Sequence, residues 1–475
     1  MSWNRLPKSI LAILTLCCLT ASLDAQQLEN RPNIALVFVD DMGWGDFSCF
    51  GNDVVETQNI DRLAAAGVRF EQFYVNSPIC SPSRVAISTG QYPQRWRISS
   101  YLDNRRRNIE RGMAQWLDPG APMLARMLHD AGYATGHFGK WHMGGQRDVG
   151  EAPLITEYGF DASLTNFEGL GPRVLPLKDA YDGRPPQRHA LGSDQLGRGP
   201  ITWEDRSKVT TSFTTAALDF VKQAEADNRP FYINVWPDDV HSPFFPPKAR
   251  RGDGAKRTLY HGVLDTMDEQ LAVLFDHIRG SEKLRDNTLI LICSDNGPEL
   301  GAGSAGHLRG NKTMLFEGGV RSPLIAWGPG LIGADKAGSV NRESVFAAID
   351  LVPTLLAIAG VAAPADVRFD GEAMPEVLLG NSQASRRGLL FFRRPPDRDR
   401  FYGIDDLPDL AVRDGRWKLL CEYDGSDALL FDLSADPQES QNRANDHPDI
   451  VHRLTKAALD WHASMPPDNG PAMAQ

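Results

Sequence analysis

Apolar residues fall into two rhythms along this chain, and their alternation predicts its architecture. Asn33-Ile-Ala-Leu-Val-Phe-Val39 is a short apolar run rich in β-branched residues, the pattern of a strand buried on both faces. Phe231 to Trp236 and Thr288 to Cys293 repeat it, and a further strand is expected near Tyr133 to Phe138. Between these runs the spacing turns helical. Asn59 to Gly67 puts Ile60, Leu63 and Ala64 on one side and ends in a glycine. Pro122 to Gly132, Val209 to Ala226 and Leu259 to Arg279 are the other helical stretches. Strands alternating with helices predict a largely parallel sheet with helices on both faces. Ligands of such sheets sit beyond the carboxyl ends of the strands. Two strands here run straight into acid and amide: Asp40-Asp41 after the first, and Ser294-Asp295-Asn296-Gly297 after the one that ends at Cys293.

Residues 143–208 have little periodicity and much Gly, Pro and Arg, as expected of a long insertion that lines a surface and carries specificity. From about 385 the rhythm changes again. Leu389 to Phe392, Leu410 to Val412, Trp417 to Glu422 and Ala428 to Leu433 read as short strands, with a hairpin turn at Asp424-Gly425 and a closing amphipathic helix from Asp449 to His462. The expected organisation is a leader at 1–25, a large domain at 26–385 and a small antiparallel α+β domain at 386–475. The leader has Arg5 and Lys8 before an apolar run from Ile10 to Leu19, then small residues up to Ala25. This is the layout of a secretory signal peptide, and the run is too short for a membrane span. The mature chain is expected to be exported, with no transmembrane anchor.

Composition narrows the classes of function. At 475 residues, 42% hydrophobic and 23% charged, the chain can bury a large core. Its net charge of −11 argues against a nucleic-acid binder. Six cysteines in this length, two of them in the leader, are no disulfide scaffold.

Asp40, Asp41, Asp295 and Asn296 are four oxygen donors at two strand ends. That is a hard-cation pattern suited to Ca²⁺ or Mg²⁺, with no Cys/His set for zinc. Taken alone, Asp40-Asp41 would equally be a helix cap or turn. Cys80-Ser-Pro-Ser-Arg84 continues to Thr89-Gly90. Pro82 suits a first helical turn, which places Cys80 just before a helix N-terminus and Arg84 one turn on. Spacing leaves a structural cysteine and a thiolate nucleophile both open. Arg105-Arg106-Arg107 reads most simply as a solvated charged loop, the alternative being contact with anionic groups of a polymer, and Trp44, Trp96, Trp203 and Trp236 as mostly core, the alternative being stacking on a ligand.

The Cys-x-Pro-Ser-Arg run with its Thr-Gly tail resembles the signature of type I sulfatases, within the alkaline phosphatase superfamily. Other marks of that family occur in order: Asp40-Asp41, Gly139-Lys140-Trp141-His142, His241-Ser242-Pro243, Ser294-Asp295-Asn296-Gly297, Leu308-Arg309-Gly310-Asn311-Lys312, Gly318 to Pro323, Asp350 to Leu355, and Asp414 to Lys418 near the end. The resemblance implies a large mixed, mostly parallel sheet flanked by helices, with a small C-terminal sheet. It implies a sulfuric ester hydrolase in which Cys80 is converted by a formylglycine-generating enzyme. It implies Ca²⁺, more than Mg²⁺, on Asp40, Asp41, Asp295, Asn296 and the modified Cys80. By the same resemblance Arg84 and Lys140 offset the charge of the aldehyde hydrate and Lys312 binds sulfate oxygens. His142 attends the hydrate, His241 protonates the leaving oxygen, and His307 lines the sulfate pocket. A sulfated carbohydrate is the expected substrate, a 6-O-sulfated N-acetylhexosamine among others. The alternatives are a small aryl sulfate, a phosphoester or phosphonate, and a non-catalytic sulfoglycan-binding protein.

Overall fold

The computed structural model describes residues 31–397 and 406–467, so the expected leader at 1–25 lies outside the described residues. No helix among the described residues is long and apolar enough to cross a membrane. The strands in chain order are β1 (Asn33–Val39), β2 (Val68–Tyr74), β3 (Ala134–Gly139), β4 (Ala162–Leu164), β5 (Arg173–Lys178), β6 (Gln187–Arg188), β7 (Ile201–Asp205) and β8 (Phe231–Trp236). They continue with β9 (Thr288–Ser294), β10 (Arg321–Trp327), β11 (Ser339–Asn341), β12 (Phe346–Ala347), β13 (Leu390–Arg393), β14 (Leu410–Asp414), β15 (Trp417–Cys421) and β16 (Leu429–Asp432).

The large sheet has the order β11-β2-β10-β9-β1-β8-β3-β4, with β12 also on β2. All its pairings are parallel except those of β10, which runs against β2 and β9. Every residue of β1 is buried because both faces are covered. Ile34, Leu36 and Phe38 enter one apolar core with the helices Leu124–Asp130 and Ala348–Ile358, whereas Ala35, Val37 and Val39 enter a second core with Val209–Ala226 and Lys256–Gly280. Period-two alternation thus feeds two cores, which is why the strand reads as unbroken hydrophobicity.

The expected strands and long helices are present to within a few residues. The segment 143–208 differs from expectation. It carries a three-stranded sheet of its own, β6-β5-β7, bridged to the end of β4 through Thr165 and Arg173. Its strands are short, and only β5 is largely buried. Arg105–Glu110 is a short helix rather than a loop, capped by the Asn104 side chain, which accepts from the Arg107 amide at 2.9 Å. Its arginines pair with Glu151, Glu110 and Asp103 at the surface.

The C-terminal part forms a four-stranded antiparallel sheet, β13-β14-β15-β16, under the helix Pro448–Ala463. Its core is continuous with the large sheet's flank: Leu410, Leu419, Leu430 and Leu454 share a cluster with Tyr74, Phe316 and Val320. A buried charge cluster crosses the same boundary. The Lys418 ammonium lies 2.9 Å from Glu317 and 2.9 Å from Glu439, all three without exposed side-chain surface. Glu439 accepts from the Glu317 amide at 2.6 Å, and Tyr74 donates to Glu317 at 2.5 Å.

Removing Lys418 strips the buried Glu439 of its cation and leaves Glu317 to Arg321, 3.3 Å away. Lys418→Ala is therefore expected to cost about 3–5 kcal/mol. The check is the midpoint of urea unfolding followed by tryptophan fluorescence. An unshifted midpoint would mean that the three charges are hydrated and not mutually compensating.

Candidate functional site

The carboxyl ends of β1, β9, β8 and β3 open onto one cavity, and backbone bonds hold their outgoing loops together. The Asp40 amide donates to Pro237 O at 3.1 Å, the Asp295 amide to Val39 O at 3.0 Å, and the Lys140 amide to Trp236 O at 2.9 Å. β2 and β10, neither of them among the expected strands, supply the rest. β2 leads into the helix Cys80–Thr89, and the amino end of the reversed β10 lies at the same edge, just after the loop of Lys312. Cys80 is the first residue of its helix and is fully buried with the whole of that helix.

Arg84, one turn on, reaches three partners. Its guanidinium donates to Asp40 Oδ1 at 3.0 Å, to Asp295 Oδ2 at 2.8 Å and to the Lys140 carbonyl at 2.8 Å. Lys140 Nζ donates to Asp40 Oδ2 at 2.7 Å, and Lys312 Nζ to Asp41 Oδ2 at 2.5 Å. Burial alone would drive both lysines down, but the facing carboxylates hold them above the ordinary ammonium range. Asp40 is held well below the carboxylate range, because Lys140, Arg84 and His241 outweigh its burial. Burial and the neighbouring Asp40 push Asp295 up.

Asp40, Cys80 and Asp295 place donor atoms within 4.8 Å of one another. Asn296 completes an oxygen set in an informative way. Its amide nitrogen donates to Asp41 Oδ1 at 2.9 Å and to Gly297 O at 2.8 Å, which leaves Oδ1 buried and without a partner. A buried acceptor left open beside three carboxylates fits a hard divalent cation. Asp41 itself adopts φ 61°, a left-handed conformation uncommon outside glycine, and its amide donates to Asp295 Oδ1 at 3.0 Å.

His142 also has positive φ, 53°. Its Nε2 meets the Leu102 carbonyl at 2.9 Å and Glu168 at 3.2 Å, which assigns the ring proton to Nε2. Nδ1 is buried with no partner, and burial together with Lys140 holds the ring well below its ordinary range, hence neutral. Leu102 is in turn held by its amide, which donates to Ser81 Oγ at 2.9 Å. His241 meets the Ser242 carbonyl through Nδ1 at 2.7 Å and turns Nε2 toward Asp41 and Lys312, each at 3.5 Å.

The expected site residues therefore come together, with one exception. His307 is exposed, packs edge-on against Trp44 at 5.1 Å and is absent from the cavity wall. The four tryptophans also stay off the cavity: Trp44 and Trp236 are buried, Trp96 and Trp203 half-buried. Residues that patterning did not single out form the outer wall of a cavity of about 460 Å³, among them Tyr101, Arg147, Phe167, Lys178, His189 and Arg206. Most belong to the aperiodic insertion, whose richness in Gly, Pro and Arg was its signal in the sequence.

A family model described as Sulfatase matches residues 32–361, and one described as N-sulphoglucosamine sulphohydrolase, C-terminal, matches residues 306–462. The N-acetylgalactosamine-6-sulfatase of Canis lupus familiaris is 32% identical over 390 residues, covering 78% of this chain and 70% of that protein. Arylsulfatase A of Homo sapiens is 31% identical over 493 residues, covering 91% and 89%. Among solved structures, that of Ps i-CgsB superposes with a TM-score of 0.74 at 24% identity over 91% of this chain and 92% of that one, which shows a shared fold.

Burial pushes the Cys80 thiol up to about 11, against the pull of Lys140 and Lys312. Only the thiolate is a good nucleophile. In protein that retains the cysteine, alkylation of Cys80 by iodoacetamide at pH 8 should run about 100-fold slower than that of free cysteine. Peptide mass spectrometry over time measures this, and a rate equal to free cysteine would restore the thiolate reading.

Proposed function

We propose, from the premise that this chain belongs to the sulfatase family and is a sulfuric ester hydrolase, that it is an exported, cation-dependent carbohydrate sulfatase whose nucleophile is made from Cys80. The observation that carries this reading is the charge arrangement around Cys80. Arg84, Lys140 and Lys312 are each within 3.0 Å of Asp40, Asp41 or Asp295. Three cations face three carboxylates, so a dication joining the set leaves surplus positive charge, which suits an anionic sulfate ester.

Asp40, Asp41, Asp295 and the open Oδ1 of Asn296 are the groups that would hold Ca²⁺, with the modified residue 80 beside them. Bound there, the ion supplies Lewis-acid polarisation of oxygen. A formylglycine at position 80 supplies a hydrated aldehyde, with one hydroxyl to attack sulfur and a second whose deprotonation expels sulfate and regenerates the aldehyde. The remaining work falls to the chain's own side chains. Arg84 and Lys140 offset negative charge next to residue 80. His142, neutral and with an unpartnered Nδ1, accepts a proton from a hydroxyl there. Lys312 and His241, in mutual contact, bind the ester oxygens and hold a proton for the departing alcohol.

Similarity to an N-acetylgalactosamine-6-sulfatase supports a 6-O-sulfated N-acetylhexosamine as substrate. The polar wall contributed by the insertion supports a saccharide over a flat aryl ester. Similarity to arylsulfatase A supports the second reading, a small aryl sulfate. The charged, small-residue layout of residues 1–25 supports export.

Asp295→Ala is expected to lower sulfate release about 100- to 1,000-fold and to abolish Ca²⁺ binding measured by calorimetry. Full activity in that variant, or after thorough chelation, would count against the cation site. Mass spectrometry of the Cys80 peptide from the native host should show the aldehyde; an unmodified thiol would remove the formylglycine claim. Turnover of phosphate monoesters above sulfate monoesters would replace the sulfatase reading with a phosphoesterase.

A further inference from the structure

The cations that line the cavity are not equivalent. Lys140 is matched by Asp40 at 2.7 Å, Lys312 by Asp41 at 2.5 Å, Arg147 by Asp103 at 2.7 Å and Arg206 by Asp238 at 3.1 Å. Lys178, the last residue of β5, has no carboxylate within ion-pair distance among the described residues. The acids that might serve it are engaged elsewhere. Asp179 is bound by Arg251 at 2.8 Å, and Asp238 is shared between Arg206 and the Asn166 amide, the latter at 2.8 Å. Among the described residues the Lys178 ammonium faces the Phe245 ring, 5.6 Å to its centroid, which attracts a cation without neutralising it, and feels Asp238 at longer range.

Half-burying an ammonium without a counter-charge is unfavourable. Burial, with the charge of Arg206, pushes Lys178 down to about 8, so it remains mostly protonated at neutral pH. His189, on the same wall, is held at about 4 by burial and the surrounding cations, and so offers a neutral ring edge-on to Phe167 at 5.4 Å. One uncompensated cation and one neutral hydrogen-bonding ring thus face the cavity that also contains Cys80 and Lys312.

We infer that Lys178, with His189, forms a second anion subsite that takes a carboxylate or a second sulfate carried by the same saccharide whose sulfate ester meets residue 80. The inference rests on the carbohydrate sulfatase reading. Its logic is one of continuity: both groups line a single cavity of about 460 Å³, of the size that encloses one small ligand, so two anionic groups bound there belong to one molecule. The ester is held by Lys312, and the second group fills the charge deficit at Lys178.

The test uses the full-length, converted, Ca²⁺-loaded enzyme and three saccharides: a 6-O-sulfated N-acetylhexosamine, the same sugar with a second sulfate, and the same sugar linked to a hexuronate. The preference for a doubly anionic over the singly anionic substrate, taken as a ratio of kcat/KM, should fall about tenfold in Lys178→Met, through KM rather than kcat. Lys178→Arg should restore most of it. Which of the two doubly anionic sugars loses its advantage identifies the second group as sulfate or carboxylate. A ratio unaltered in Lys178→Met, or a loss confined to kcat, overturns the subsite. Calorimetric binding of the same sugars to Cys80→Ala protein gives the ratio without turnover. If wild-type enzyme desulfates none of the three yet binding retains a Lys178-dependent preference, the substrate reading fails and the subsite stands. If binding shows no such preference, the subsite fails.

Discussion

The Arg84 guanidinium is wholly buried, and a buried cation holds its place only if its charge and its hydrogens are met by the protein. Here the charge and both terminal nitrogens are met by groups from three strand ends, Asp40 after β1, Asp295 after β9 and the Lys140 carbonyl after β3, while Nε is buried without a hydrogen-bond partner among the described residues. The Phe38 and Trp236 ring centroids lie 5.7 and 5.2 Å from the guanidinium. A planar fork that donates in several directions is what arginine offers and lysine lacks. Because Arg84 sits one turn beyond Cys80, the same contacts fix the start of that helix against the acidic strand ends. The position of residue 80 relative to the oxygen donors is therefore set by one side chain that never meets solvent.

Lys312 is placed by a different route. Its loop is tied to the neighbouring one by the Lys312 amide donating to Pro298 O at 3.0 Å and by the Gly297 amide donating to Gly319 O at 3.0 Å. A Cβ on Gly297 would lie 1.9 Å from the Gly318 carbonyl, so the approach that puts Asn296 beside Lys312 admits only glycine there. The other end of that loop is anchored at Glu317, which is gripped by Lys418 and, through its amide, by Glu439. Both come from the C-terminal segment. The small sheet is thus an outer support for the loop that carries a cavity-lining cation, and the continuous core of Leu419, Phe316 and Tyr74 makes that support stiff.

The strands of the large sheet that sequence patterning exposed, β1, β3, β8 and β9, are buried on both faces, and with β1 and β9 came the acidic residues at their ends. β2 was hidden because it is half-exposed and follows directly on a helix, so its apolar positions blur into the helical spacing. β10 was hidden by Pro323, which removes a ladder donor; the structure accommodates it at a register shift between Ser322 and Leu324. The insertion was legible as a lining segment from composition alone, but its short strands are too brief for periodicity to register. The same limit explains the site. Residues on regular elements or in motifs, such as Cys80, Arg84 and Lys140, could be named in advance. Lys178 and His189 owe their places to the tertiary packing of a three-stranded sheet that local patterning does not reveal, and His307 was misplaced because nothing local shows which way a loop faces.

Charge acts at two lengths in this molecule. The net charge of −11 sets a field at the surface that disfavours anions. At physiological ionic strength that field decays over roughly 8 Å, so a sulfated ligand feels it only weakly until contact. Inside the cavity, water is displaced by protein and the same charges interact several times more strongly. There the sum is different: matched cation–carboxylate pairs, an oxygen set suited to a dication, and one lysine without a partner. The balance of the whole chain therefore describes approach and solubility, while binding is decided by a few buried groups whose charges are counted pair by pair. An acidic protein that works on acidic substrates is no contradiction once those two distances are separated.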